Sequence, residues 1–327
     1  MSDRLSRRQF LGAATAGTAL AAVDDASKPI TTRVLGRTGA RVTILAMGCG
    51  SRLLSYETAD KAGEALNLAF DSGVRYFDTA FGYGNGKSET WVGQALRHRR
   101  KDFFLATKIN VRDGEKAKRI LEESLKRLQT DQVDLIHVHS LLGDDDLAQV
   151  EAKGGVLDLL YKLREQKVTR FIGITSHTDP VTLKTAIERH DIDCVQIALN
   201  AALQGMRDGQ GKMVLNPAMK TSFEQVALPA ARKKNLGILA MKVMGQEDLL
   251  GPGPGKGDPA KLFQYTLSLP VAAAVVGMPK LEFIRQDVAL AKAFKPMPKN
   301  EMKQFSDRMA DANKMALDRK FCHHIDA

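Results

Sequence analysis

The chain has little cysteine: three residues in 327, Cys49, Cys194 and Cys322, odd in number and far apart. None belongs to a CxxC pair, which argues against a zinc ribbon or an iron–sulfur cluster and leaves no disulfide framework. Aromatic residues are scarce at 6%, with one tryptophan. No RNA-binding motif, basic helix or aromatic-plus-basic strip accompanies the net charge of +10, so no nucleic-acid partner is expected. Part of that charge (Arg4, Arg7 and Arg8) sits in a terminal leader, and the rest is interspersed with Asp and Glu. An anionic substrate or cofactor accounts for a positive field of this kind. Long apolar runs are also missing, so no stable membrane span is expected. What remains is 44% hydrophobic and 26% charged, the composition of a globular chain large enough for one α/β barrel or two ordinary domains.

Residues 4–23 read RLSRRQFLGAATAGTALAAV. A basic stretch with paired arginines precedes a mildly apolar run, then Ala19-Leu20-Ala21 suited to signal peptidase, then the polar Asp24-Asp25. Gly12 through Thr18 form no apolar stripe at helical spacing, unlike an amphipathic core helix. The segment resembles a twin-arginine export signal. Residues 1–22 are therefore expected to address the chain to the twin-arginine export machinery and the periplasm. Cleavage near Ala21 or Ala22 and retention as an N-terminal anchor both remain open. A linker is expected over 23–31.

Beyond it, Arg33–Leu35 and Val42–Ile44 flank Gly36-Arg37-Thr38-Gly39, which predicts a hairpin. Short apolar segments then alternate with amphipathic ones. Strands are predicted at Val42–Met47, Arg75–Asp78, Phe103–Lys108, Val133–His139, Phe171–Ser176, Cys194–Ile197, Ile238–Met241 and Ala273–Val276. Helices are predicted at Glu57–Ser72, Ser88–Arg97, Glu115–Leu128, Leu147–Glu165, Pro180–Arg189, Phe223–Lys234, Pro259–Leu267 and Leu281–Phe294. Eight strand–helix units in about 255 residues predict a (β/α)8 TIM barrel over 32–295. A doubly wound sheet would call for a glycine fingerprint that Gly48-Cys49-Gly50-Ser51 lacks. Asn200–Thr221 and Gly245–Gly257 read as long loops at the barrel mouth. Residues 296–327 form a C-terminal extension with a helical run at Glu301–Leu317.

Polar residues end several strands: Asp78 the second, Lys108 the third, His139 the fourth and Ser176 the fifth. In a barrel those ends converge on one mouth. Tyr83 follows Asp78 by five residues through a glycine-rich turn that can return the phenol over the mouth. Hydride attack on a carbonyl builds charge on oxygen, which needs a proton donor there. Tyr83 fits as that donor, with Lys108 expected to lower its pKa, Asp78 to hold Lys108 charged, and His139 to orient the carbonyl.

The motif Gly73-Val74-Arg75-Tyr76-Phe77-Asp78-Thr79-Ala80-Phe81-Gly82-Tyr83-Gly84 resembles the GxxxxDTAxxYG signature of the aldo-keto reductases. Ala106-Thr107-Lys108 and Asp134-Leu135-Ile136-His137-Val138-His139 resemble that family's catalytic lysine and histidine segments. The resemblance runs from about Val34 to Phe294. It implies a nicotinamide-dependent oxidoreductase, reducing an aldehyde or ketone or oxidising the alcohol, with Tyr83 as general acid and base. It also implies NADP(H) ahead of NAD(H), held tightly if the barrel is exported loaded, and a small carbonyl or sugar-like substrate.

The cofactor positions carried over are Gly48 and Cys49 after the first strand, and Ser176, His177 and Gln196 (with Asn200) for the carboxamide. Met241 and Lys242 follow the seventh strand, with Met241 where an aromatic residue is common. Gly277, Lys280, Gln286 and Asp287, with Arg285, form the phosphate and adenine segment, where the helix N-terminus suits an anion. His177 stands where Asn is common, Pro279 replaces a frequently basic residue and Asp287 an Asn. Two other readings stay open. His137 and His139, on one face of a strand, could serve a metal-dependent hydrolase, although His137 fits a hydrogen-bonded core histidine. The barrel could also be a nicotinamide sensor without turnover. The terminal Cys322-His323-His324 is expected to pack or fray rather than bind metal.

Overall fold

The structure, a computed structural model, describes residues 28–209, 213–216 and 218–322, with side chains to Lys314. The segment read as an export leader, most of the expected linker and the His323-His324 end of the tail lie outside the described residues.

The chain opens with β1 (Thr32–Val34) and β2 (Arg41–Thr43), antiparallel, with Thr32 opposite Thr43. A 3-10 turn at Gly36–Thr38 joins them. Gly36 has φ 51°, and a Cβ there would lie 2.3 Å from the Leu236 carbonyl carbon, so only glycine lets this hairpin seal the lower barrel end. There follow β3 (Leu45–Gly48), α1 (Ser51–Leu54), α2 (Ala59–Asp71), β4 (Tyr76–Asp78), α3 (Lys87–Leu96), β5 (Phe104–Ile109) and α4 (Gly114–Leu128). Next come β6 (Val133–Val138), α5 (Asp144–Val150), α6 (Val156–Glu165), β7 (Thr169–Ser176), α7 (Pro180–Arg189) and β8 (Cys194–Ala198). A hairpin of β9 (Gly205–Asp208) and β10 (Met213–Asn216) leads to α8 (Ala227–Lys233), β11 (Gly237–Met241) and α9 (Pro259–Ser268). The chain ends with β12 (Ala273–Val276), α10 (Leu281–Lys292) and α11 (Lys299–Cys322). Strands β3 to β8, β11 and β12 close into one parallel barrel, β12 returning to β3.

The helices start where local chemistry starts them. Thr58, Asp113, Asp179 and Asp258 cap α2, α4, α7 and α9 by accepting backbone N–H groups, and Pro180 and Pro259 occupy the first turn. In α4 the buried positions Ala117, Leu121, Ser124 and Leu128 recur at helical spacing, laying one face on the barrel.

Four expectations are corrected. The segment read as one strand at 42–47 is two, because the chain turns at Ile44 from the hairpin into the barrel. The helix read over 147–165 is two, α5 and α6, broken where Gly154 adopts φ 73° and Gly155 packs closely on the carbonyl of Ala152. The loop read at 200–221 contains the β9–β10 hairpin, with Met206 opposite Leu215. Its strands are four residues long and short of apolar alternation, so periodicity concealed them. Ser51–Leu54 adds a helix not expected at all.

The strand registers stack the interior side chains in layers taken from alternate strands. From the bottom these are Tyr76, Leu135, Cys194 and Ala273; then Ala46, Ala106, Gly173 and Leu239. Asp78, His137, Gln196 and Val275 come next, and Gly48, Lys108, Thr175 and Met241 lie at the mouth. Apolar members of the lower layers form one buried cluster with Phe104 and the hairpin residues Leu35 and Val42.

Candidate active site

The centre of the mouth is a buried ion pair. Lys108 Nζ donates to Asp78 Oδ1 and, at 2.8 Å, to the Thr79 carbonyl, with both charged side chains at most 2% exposed. β4 and β5 are adjacent, which brings two strand ends together with no loop in between. Gln196 Nε2 faces the same Asp78 oxygen at 3.4 Å. The Lys108 ammonium lies 5.0 Å from the centroid of the Tyr83 ring, and that ring meets His139 edge-on at 5.5 Å and 88°. Gly50 and Gly82 flank this pair: a Cβ at Gly50 would touch the Tyr83 ring and one at Gly82 would approach His139 Nδ1. Asp78, Tyr83, Lys108 and His139, spread between positions 78 and 139 of the sequence, are thus one contiguous group.

Burial sets the charges. Burial pushes the Tyr83 phenol above its ordinary value of 10.0 despite the pull of Lys108. The lowering by Lys108 expected from sequence is present but outweighed, because the phenol is desolvated by the same packing that brings the ammonium close. Tyr83 is consequently protonated at neutral pH. Burial alone would lower Lys108, but Asp78 and Tyr83 hold its ammonium above the usual lysine value. Burial lifts the Asp78 carboxyl against the pull of Lys108. His139 lies well below 6.5 through burial and the positive Lys108, with lesser effects of His177, Arg112 and Lys242, so its imidazole is neutral.

His139 is held from behind by a residue the sequence reading missed. Arg112 Nη2 donates to the carbonyls of His139 and Ser140, at 3.0 and 3.1 Å. Its guanidinium forks onto Asp146, both bonds 2.7 Å. Burial works against ionised Asp146, but Arg112 and the Leu142 amide hold its carboxyl below the usual range. The available signal was Asp146 in the acidic first turn of a helix after strand six, beside an arginine four residues past Lys108.

The cofactor residues carried over from the sequence distribute as follows. Gly48 Cα carries no side chain where one would crowd Val275 and the Val276–Gly277 backbone, and Gly277 leaves room for Arg52, 2.6 Å from where a Cβ would sit. The Cys49 thiol is buried against the Met47 carbonyl at 3.6 Å, and its backbone is taken up by the Asp78 carbonyl and the Ser88 hydroxyl, so the structure gives it no group free for a cofactor. Ser176 donates to the Leu141 carbonyl at 2.8 Å, which leaves its oxygen able to accept. His177 Nε2 lies 3.2 Å from the Ser140 hydroxyl. Burial and Lys242 bring the His177 imidazole down to about 4. The Asn200 amide holds the Gln204 carbonyl at 2.8 Å and faces the Lys242 carbonyl at 3.5 Å, a loop-shaping use. Lys242 is half-buried, and burial beside Lys108 and Arg52 brings it down to about 8. Met241 is half-buried at the end of β11, where it can lie along a flat ring. Lys280 occupies the N-cap position of α10, exposed and without a side-chain capping bond, Gln286 is half-buried and Asp287 is fully buried. The first-turn amides of α10 have no intrahelical acceptor, as at any helix N-terminus, which suits an anion.

One expectation about the interior is corrected. His137 is fully buried, as expected, but neither ring nitrogen has a hydrogen-bond partner among the described residues. No group of three or more His, Cys, Asp or Glu side chains among those residues is placed to hold a metal ion, so the imidazole pair of β6 has no third ligand there. No helix among the described residues is long and apolar enough to cross a membrane.

Residues 46–254 match the model of the Aldo/keto reductase family. The chain is 29% identical over 241 residues to the L-galactose dehydrogenase of Arabidopsis thaliana, covering 70% of each protein. Among solved structures it is similar to the holo form of a Bacillus halodurans aldo-keto reductase, with a TM-score of 0.68 and 23% identity over 86% of this chain and 97% of that one. It also resembles a Klebsiella pneumoniae aldo/keto reductase in complex with NADP and acetate, with a TM-score of 0.63 and 21% identity over 85% of this chain and 95% of that one.

Proposed function

The chain belongs to the aldo/keto reductase family, as an NAD(P)-dependent oxidoreductase, and from that premise we propose that Tyr83 is the proton donor in reduction of a small aldehyde, ketone or sugar-like carbonyl. The observation that carries this reading is the placement of Lys108: buried, paired with Asp78, and facing the Tyr83 ring beside a neutral His139. NADP(H) is the expected cofactor ahead of NAD(H), held by Ser176, Gln196, Met241 and Lys242 at the nicotinamide end and by Gly277, Lys280 and the α10 N-terminus at the phosphates. The printed names of the relatives, one a sugar dehydrogenase and one bound to NADP, support both halves.

Bound there, the cofactor supplies a hydride to the carbonyl carbon. The protein's residues handle the oxygen. Tyr83, protonated at neutral pH, gives its proton to the oxygen as charge builds there. The nearby Lys108 ammonium stabilises the phenolate left behind, and Asp78 keeps that ammonium charged and aimed. His139, neutral and anchored through Arg112, offers an N–H to the same oxygen and fixes the substrate's approach. In the reverse direction the phenolate accepts the alcohol's proton.

On the same reading the leader at 4–23 directs the chain to the periplasm through the twin-arginine route, which accepts folded proteins, so the cofactor travels bound. Denaturing protein recovered from that compartment should release a nicotinamide nucleotide, and an empty barrel would count against export in the loaded state. The decisive test is Tyr83→Phe. It should retain NADPH binding by fluorescence titration while losing roughly 10²–10⁴-fold in carbonyl reduction across an aldehyde and sugar panel. Turnover equal to that of the unaltered protein would sink the assignment.

A further inference from the structure

Directly beneath Tyr83, Lys108 and His139, which with Asp78 make up the catalytic tetrad of the reading above, the barrel interior is polar where barrels are usually packed with apolar side chains. Four buried side chains there present atoms without a hydrogen-bond partner among the described residues: Asp78 Oδ2, both nitrogens of His137, Gln196 Oε1 and the Tyr76 hydroxyl. Their places follow from the registers. Asp78, His137 and Gln196 share one layer, and Tyr76 stands two layers below. The layer between them is built of Ala46, Ala106, Gly173 and Leu239, three of which are too small to fill the axis. The His137 ring occupies space that a side chain at Gly173 would need: a Cβ there would lie 2.6 Å from His137 Nδ1 and 2.5 Å from the Cys194 carbonyl.

Orphaned buried polar atoms are rare, and each is costly to leave without a partner. Four side chains orphaned around one thin layer call for a shared partner. The donor count identifies it. A neutral imidazole brings one donor and one acceptor, the tyrosine hydroxyl one donor, and Asp78 Oδ2 and Gln196 Oε1 are acceptors only. Two donors thus serve at least three acceptors. Water adds two donors and binds two to four polar neighbours in sites of this kind.

We propose that Tyr76, His137 and Gln196 enclose ordered water under Asp78, and that His137 acts through it as a positioning residue for the Asp78 carboxylate. The proposal rests on the reading of Tyr83, Lys108 and Asp78 given above. The neutral imidazole donates to that water, which also receives the Tyr76 hydroxyl proton and passes one hydrogen to Asp78 Oδ2, the oxygen Lys108 does not engage, and the other to Gln196 Oε1. The groups facing His137 are Asp78 and Tyr76 from β4, Lys108 from β5, His139 from its own strand, and Cys194 and Gln196 from β8, with Gly173 of β7 contributing no side chain. Positive Lys108 beside it and full burial keep the ring neutral, the form able both to donate and to accept. With Asp78 fixed at both oxygens, the Lys108 ammonium stays aimed at Tyr83.

The test combines His137→Leu, His137→Gln and Tyr76→Phe with a high-resolution crystal structure of the unaltered protein. Water bonded to both His137 and the Tyr76 hydroxyl is expected. Loss of a hydrogen bond to a charged group predicts that His137→Leu lowers kcat about tenfold or more and displaces the pH profile of kcat/KM, with the KM for carbonyl and the affinity for NADPH nearly unchanged. His137→Gln should restore most of the rate. Tyr76→Phe, which removes one hydroxyl and keeps the ring, should move the profile less in the same direction, and it carries the test if His137→Leu fails to fold. A dry interior overturns the proposal. So does an unmoved pH profile in His137→Leu, or in Tyr76→Phe where the leucine variant does not fold, while Tyr83→Phe has lost reduction.

Discussion

The two ends of the barrel are made by the same eight strands, yet they handle charge in opposite ways. At the lower end charge stays outside. Arg164 reaches Asp191 at 2.8 Å and Asp193 at 3.0 Å, and Arg37 joins the same two acids, all at the rim with Asp191 65% exposed. The interior there is apolar, with Tyr76 and Phe104 edge-on at 5.0 Å and Phe104 stacked on Phe171 at 6.2 Å, and the β1–β2 hairpin closes it. At the upper end charge goes inside: Asp78 and Lys108 are paired in near-complete burial, with His137 and Gln196 in the same layer as Asp78. Rim pairs remain screened by water and contribute little, whereas a buried pair is costly to form and costlier to break. The lower end is built for closure, and the upper end holds an electrostatic arrangement in place for chemistry.

Breaking the buried pair should have the largest effect. Asp78→Asn leaves the Lys108 ammonium without its counter-charge and should cost about 3–5 kcal/mol of unfolding free energy by urea titration, with reduction lost as well. A variant of unaltered stability would remove the contrast between the ends.

Acidification should come next, and above about pH 4 it acts chiefly through three imidazoles of the upper end. His137 and His139 lie well below 6.5 in the fold, and His177 is brought to about 4. Unfolding returns them to ordinary values, so below 6.5 the unfolded chain binds more protons and stability falls as the pH drops toward about 4. Urea midpoints measured at about pH 7.5 and about pH 5 should show the decline, and His177→Asn should reduce it. Equal midpoints would mean these imidazoles are as well solvated as free ones.

The smallest effect belongs to the rim. Arg164→Ala should cost under about 1 kcal/mol and leave turnover unchanged; a loss as large as that of Asp78→Asn would show that the lower network is not a surface feature.

Much of this organisation is legible in the sequence because it is written locally. Capping by Thr58, Asp113, Asp179 and Asp258, and the burial stripe of Ala117, Leu121 and Leu128, follow from neighbouring residues alone. Strand-terminal Asp78, Lys108 and His139 could be placed at one mouth because strand order in a barrel fixes which ends meet. The β9–β10 hairpin escaped notice because its short strands pair only with each other, and the Arg112–Asp146 fork because it joins a loop to the first turn of a short helix with no periodic signature.

The sequence by itself determined the eight-unit barrel, the four residues of the tetrad and the family they belong to, since each depends on spacing along a strand or within a turn. Only the tertiary structure decided how those residues are charged. Tyr83 reads from sequence as a phenol lowered by lysine and stands in the fold as one raised by burial, while His137 reads as a satisfied core histidine and stands with both nitrogens unpartnered. Desolvation and hydrogen-bond satisfaction depend on every side chain around a group, and those neighbours come from strands far apart in the chain.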